Sequence, residues 1–181
     1  MTTLLLLLLP FCPLQDREET VSKELRSGVR LDLPKKWTET KPKSKLRLAQ
    51  YSVPGRKEGE KKAELVIFYF GRAGGGSTEA NIDRWIGQFD GATRETARIT
   101  KFETKGKLKA TLVDLSGTFV AETRPGSGER RNEEKTRMIA AILETPAGKH
   151  YLKLVGPGNT IGAWEKEFTA LVKGADFREE E

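Results

Sequence analysis

The sequence is poor in the side chains that do most enzyme and metal chemistry. It has one cysteine, Cys12, and one histidine, His150, in 181 residues. A single cysteine excludes an intramolecular disulfide framework and a multi-cysteine zinc site. With one histidine, any Ser-His or Cys-His mechanism must run through that residue. No candidate metal ligand set, cofactor motif or catalytic constellation emerges, and neither cofactor nor metal is expected. Long apolar runs are scarce too: the longest at the start, Leu4 to Leu9 with Pro10, Phe11 and Cys12 behind it, falls far short of a membrane span of about 20 residues.

What is present is charge. There are 32 Lys and Arg against 26 Asp and Glu, a net charge of +6, beside 36% hydrophobic residues. That composition suits a folded domain with one core rather than a disordered or polytopic membrane chain.

The chain divides at its changes of composition. Residues 1–14 form an apolar leader of secretory length, although no basic residue precedes the leucines and no Ala-x-Ala site follows them. Export to the periplasm or cell envelope is the expectation, and a cytoplasmic protein the alternative. Cys12 stands where a lipid-bearing cysteine would stand, but Pro10 and Phe11 occupy positions that normally hold small residues, so lipid anchoring is a secondary option. Residues 15–27 read as a polar linker, and 28–178 as a single domain. Inside it Glu122 to Lys135 holds no large apolar residue and reads as a mobile charged loop.

Within the domain, Val29, Leu31 and Leu33 alternate as a strand ending at Pro34, Leu46 to Val53 forms another, and Leu65 to Phe70 is apolar throughout, as in a central strand covered on both faces. Ile82, Trp85, Ile86 and Phe89 recur at helical spacing after a glycine-rich entry, with Ser77 or Thr78 to cap them. Four strand-like runs follow, Ala97 to Thr104, Leu108 to Phe119, Arg137 to Leu143 and His150 to Val155, the last two joined as a hairpin through Thr145 to Gly148. A second helix spans about Thr160 to Lys173, with Asn159 or Thr160 as its cap and Gly174 as its stop. The expected fold is α/β of the α+β kind: a mainly antiparallel sheet of about six or seven strands with two amphipathic helices.

Several short segments resemble a family of uncharacterised bacterial proteins that often carry export signals: Gly74-Gly-Gly-Ser-Thr-Glu-Ala-Asn81, Arg84-Trp85, Gln88-Phe89 and Leu154-Val-Gly-Pro157, with Leu33-Pro34-Lys-Lys-Trp37 and Leu46 to Gln50 before them. More distantly, the Pro-x-x-Trp opening, the antiparallel sheet and the terminal helix are similar to the PsbP/Mog type of α-β-α sandwich. That resemblance implies a domain that binds partners rather than one that catalyses a reaction.

The candidate ligand-binding residues lie where a strand gives way to a helix. Gly74, Gly75, Gly76 and Ser77, with Arg72, form an entry whose N–H groups and helix dipole suit an anion, although the P-loop Gly-Lys pair is missing. A purely structural turn is the competing reading. Asn81, Arg84 and Gln88 share one side of the helix beside its apolar stripe, where they could line a cleft or simply cap nearby backbone. His150 and Asp114 are the only residues on which a hydrolase or transferase reading could rest. Lys35, Lys36, Lys41, Lys43, Lys45 and Arg47, with Trp37 among them, form a basic 35–47 segment suited to an anionic polymer or membrane surface, without any nucleic-acid motif. The expectation is a non-enzymatic binding or accessory domain whose partner is a protein or a small anionic ligand.

Overall fold

The computed structural model describes residues 18–122 and 130–178. The apolar leader, including Cys12, and the centre of the expected charged loop, residues 123–129, lie outside the described residues.

The strand β1 (Thr20–Glu24) pairs antiparallel with β2 (Val29–Pro34), and a two-residue strand near the end of the chain, Asp176–Phe177, pairs with the opposite edge of β2. This small sheet corrects the expected linker. Its polar TVSKE sequence gives no burial pattern, yet its backbone hydrogen bonds are met by β2, and Leu25 in the following turn is buried. The domain therefore begins before Gly28.

The main sheet has seven strands, all pairs antiparallel. It runs from β3 (Thr38–Glu39) through β4 (Arg47–Val53) and β5 (Ala63–Tyr69) to β9 (Gly148–Pro157), then β8 (Arg130–Thr145), β7 (Lys109–Glu122) and β6 (Arg98–Glu103) at the far edge. Strands β8 and β9 meet in the expected tight hairpin, Thr145 facing Gly148. Strand β8 starts at Arg130 rather than near Arg137, so residues 130–135 are strand and not loop. Backbone pairing holds them: the register with β7 continues out to Glu122 opposite Arg130, past an irregularity at Gly117 and Phe119.

Helix α1 (Thr78–Ile86) covers one face of the sheet, with Ile82, Trp85 and Ile86 buried against Val113, Met138, Ala140 and Ile142. Helix α2 (Gly158–Gly174) covers the other, where Trp164, Phe168 and Leu171 pack with Leu31 and Leu33 of the small sheet. Asn159 and Thr160 are not its caps. Pro157 leaves the strand with ψ 136° and the helix begins at once, so both residues fall inside its first turn, and the Thr160 hydroxyl donates instead to the Lys61 carbonyl at 2.7 Å. The layers are thus helix, sheet, and helix with the small sheet. Among the described residues no helix is long and apolar enough to cross a membrane.

One expectation for β5 fails in part, and the failure creates a site. Leu65, Val66 and Ile67 are covered on both faces, but Phe68 is half-buried and Phe70, just beyond the strand, is 37% exposed. Helix α1 lies over β7, β8 and part of β9. It leaves the aromatic end of β5 open along its flank.

A candidate anion pocket beside helix α1

The glycine entry is built around two close approaches. A Cβ at Gly74 would lie 2.1 Å from the Phe70 carbonyl oxygen, and one at Gly75 would lie 2.5 Å from the Tyr151 hydroxyl, at a φ of +84° that favours glycine. The Ser77 hydroxyl caps α1 by accepting from the Ala80 N–H at 3.1 Å. The loop's carbonyls are taken as well: Asn81 Nδ2 donates to Gly75 O at 2.6 Å and to Ser77 O at 2.8 Å, and Lys149 Nζ donates to Gly76 O at 3.2 Å. Gly74 to Ser77 therefore act as a frame that fixes buried Asn81. Arg72 is exposed, with its backbone packed near Gly148 at the β8–β9 turn.

The frame has a consequence one helical turn on. Asn81 Oδ1, aimed by the two bonds its amide nitrogen makes, accepts a hydrogen bond from the Arg84 guanidinium. Arg84, on α1, and Gln88, in the turn just past its end, stand beside a cavity of about 210 Å³. Phe68, Phe70 and Tyr151 line its other side, with Trp85 at the inner end. Phe68 and Phe70 stack at 6.0 Å with 13° between their planes, Tyr151 leans on Phe70 at 5.8 Å and 56°, and Trp85 meets Tyr151 edge-on at 6.4 Å. Of the expected ligand residues, Arg84 and Gln88 line the cavity, Asn81 and the glycine frame support it from behind, and Arg72 does not line it.

The residue that the sequence reading missed is Lys153. It stands on β9 between Leu152 and Leu154, which face α2, so its own side chain emerges on the α1 face and lines the cavity half-buried. Its Nζ donates to Gln88 Oε1 at 2.5 Å and lies 5.5 Å from the centre of the Phe119 ring. Burial, followed by the positive charges of Arg84 and Arg47, pushes the amine down to about 8. Among the described residues no carboxylate forms a salt bridge with Arg84 or Lys153. The sequence carried no direct signal: Lys153 reads as one polar position in an alternating strand, and only the pairing of β5 with β9 brings it beside Phe68.

The other candidates are engaged elsewhere. Asp114 is 8% exposed and accepts two bonds from Arg137, Nε at 2.9 Å and Nη2 at 2.7 Å, and one from Arg98. Both arginines continue to Glu165 on α2 at 2.7 Å. Burial alone would raise the Asp114 carboxyl, but the hydrogen bonds and charges of Arg137 and Arg98 outweigh it and hold the group below its usual value. This cluster ties the sheet to α2. His150 is fully buried and stacks on Tyr69 at 4.6 Å, and burial pushes its imidazole down to about 4. His150 faces Leu143 while Asp114 faces Ile139 on the same strand, four positions along and two strands apart. That separates them by about 13 Å along the sheet and about 10 Å across it, too far to share one reacting atom.

The basic 35–47 segment is largely neutralised. Lys35 pairs with Glu19 and Lys36 with Glu18, while Lys43 and Arg47 share Glu64 at 2.9 and 3.1 Å. Trp37 is buried edge-on against Trp164 at 5.7 Å, so it offers no exposed stacking face.

No family model and no curated protein matches the chain. Solved structures do. The solution structure of cyanobacterial PsbP (CyanoP) from Synechocystis sp. PCC 6803 matches with a TM-score of 0.57 at 9% identity, covering 92% of this chain and 97% of that one. A crystal structure from Bacteroides thetaiotaomicron VPI-5482 matches with a TM-score of 0.48 at 13% identity, over 90% of this chain and 50% of that one. At such identities a likeness speaks for the fold and not for the activity. The chain has the α+β fold expected of it, two helices on antiparallel sheets of seven and three strands, and that fold is PsbP-like.

Proposed function

We propose that this protein is a non-enzymatic binding or accessory domain, exported to the cell envelope, that holds an anionic group of its partner or ligand in the pocket between α1 and β9. One observation carries the reading: Arg84 and Lys153 converge on an open cavity, and among the described residues neither has a carboxylate in salt-bridge contact. Elsewhere the charges of interest are spent on each other, as in the cluster of Asp114, Arg137, Arg98 and Glu165. Export rests on the leucine leader, and the glycine and Arg-Trp segments are consistent with a place among the exported bacterial proteins they resemble.

Anion titration at low ionic strength tests the function. Wild-type protein is expected to bind acetate or inorganic phosphate with a strong dependence on salt. Arg84→Gln, which keeps a good helix former and removes the charge, should weaken that binding with a nearly unchanged melting temperature. Absence of anion binding to the wild type at low salt would return Arg84, Lys153 and the glycine frame to a structural role.

A further inference from the structure

The chemistry of the pocket narrows its ligand beyond a generic anion, an inference that rests on the binding reading above. We propose that the cavity takes a small carboxylic acid built on a single flat ring, with its carboxylate between Arg84 and Lys153 and its ring against Phe68 and Phe70.

The charged end is arranged before any ligand arrives. The Arg84 guanidinium is aimed by Asn81, itself held by the Gly75 and Ser77 carbonyls, and the Lys153 amine is aimed by Gln88. A guanidinium presents two parallel N–H groups that match the two oxygens of a carboxylate. The positive charges of Arg84 and Arg47 bear on Lys153, and among the described residues only Arg47 of the three forms a salt bridge, with Glu64. A carboxylate supplies the missing negative charge.

The apolar end sets the shape. Phe68 and Phe70 stand nearly parallel at the open flank, with Tyr151 tilted against Phe70. They form a wall on which a ring can stack or meet an edge. The cavity of about 210 Å³ exceeds the roughly 150 Å³ that accepts a benzene ring. A single ring carrying one acid group fits within that volume. A bare inorganic anion would satisfy the cations and leave the aromatic wall wet. An uncharged ring would do the reverse.

Titrating the full chain with benzoate, acetate, benzyl alcohol and inorganic phosphate at low ionic strength separates these cases. Benzoate is expected to bind at least about tenfold more tightly than acetate, the gain of one ring contact on an aromatic wall, and more tightly than benzyl alcohol or phosphate. Phe70→Leu, which keeps an apolar side chain beside Phe68 and Tyr151 and removes the ring, should bring benzoate down toward the affinity of acetate with a nearly unchanged melting temperature. Arg84→Gln should weaken both acids. Benzoate no tighter than acetate, phosphate tighter than benzoate, or benzyl alcohol equal to benzoate would overturn the ring-acid assignment and leave anion binding in place. Failure of benzoate, acetate and phosphate alike to bind would overturn both.

Discussion

Trp164→Ala is expected to cost about 3–5 kcal/mol of folding stability, the range for removing a fully buried large side chain. Trp164 is 0% exposed and joins three parts of the molecule at once. Its Nε1 donates to the Pro54 carbonyl at 2.6 Å, Trp37 meets its ring edge-on at 5.7 Å, and the Arg56 guanidinium lies 3.7 Å above the ring. Alanine would open a cavity between α2 and the sheet, deprive the half-buried Pro54 carbonyl of its donor and leave the cation without its ring. For a domain of this size the melting temperature should fall by roughly 6–20 °C. Chemical denaturation of the two proteins checks it, and a loss well under 1 kcal/mol would contradict the packing of α2 described above.

Asp114→Ala should be comparably damaging for an electrostatic reason. It removes the carboxylate that receives Arg137 bidentately and Arg98 beside it, and the Arg137 side chain is only 17% exposed. Breaking the pair from one side leaves the buried Arg137 with Glu165 alone as its counter-charge, at a cost of about 3 kcal/mol, the low end for a broken buried pair. Replacing both partners, as in Asp114→Leu with Arg137→Met, should recover much of that loss, because no buried guanidinium is left short of its carboxylate and Glu165 keeps Arg98. The sign of the pH effect follows from the lowered carboxyl. The unfolded chain takes up the proton first, so the contribution is present above the ordinary carboxylate value of 3.8 and disappears as the pH falls through the lower folded value. Urea midpoints for the single and double variants decide the matter. A double variant as unstable as the single one would show that packing, not charge, governs this site.

The elements that the sequence revealed are those held by burial. The stripe of Ile82, Trp85 and Ile86 shows a helical period because α1 has one dry face, and Ser77 announced its start by capping it. Phe89 belongs to the same stripe but lies beyond the helix, bridged to Phe119. The elements that stayed hidden are held by backbone pairing. Strand β1 and the first residues of β8, 130–136, carry mostly polar side chains, and only a neighbouring strand gives them a reason to be extended. The same division runs through the site. Asn81 and Arg84 were legible as one side of a helix, while Gln88, expected beside them, falls in the turn after it; their meeting with Phe68, Phe70 and Lys153 depends on β5 lying next to β9, a pairing across more than 80 residues of chain.

Where an anion lands is the most direct test of the pocket as the functional site. Backbone and indole N–H signals of the full chain, followed by NMR during a benzoate titration at low ionic strength, report that position. The structure predicts that the largest shifts fall on the Trp85 indole, Arg84, Gln88, Tyr151 and Lys153, and that they vanish in Arg84→Gln. Shifts concentrated instead on Lys35 to Arg47, the segment whose charges are largely paired with Glu18, Glu19 and Glu64, would contradict the account.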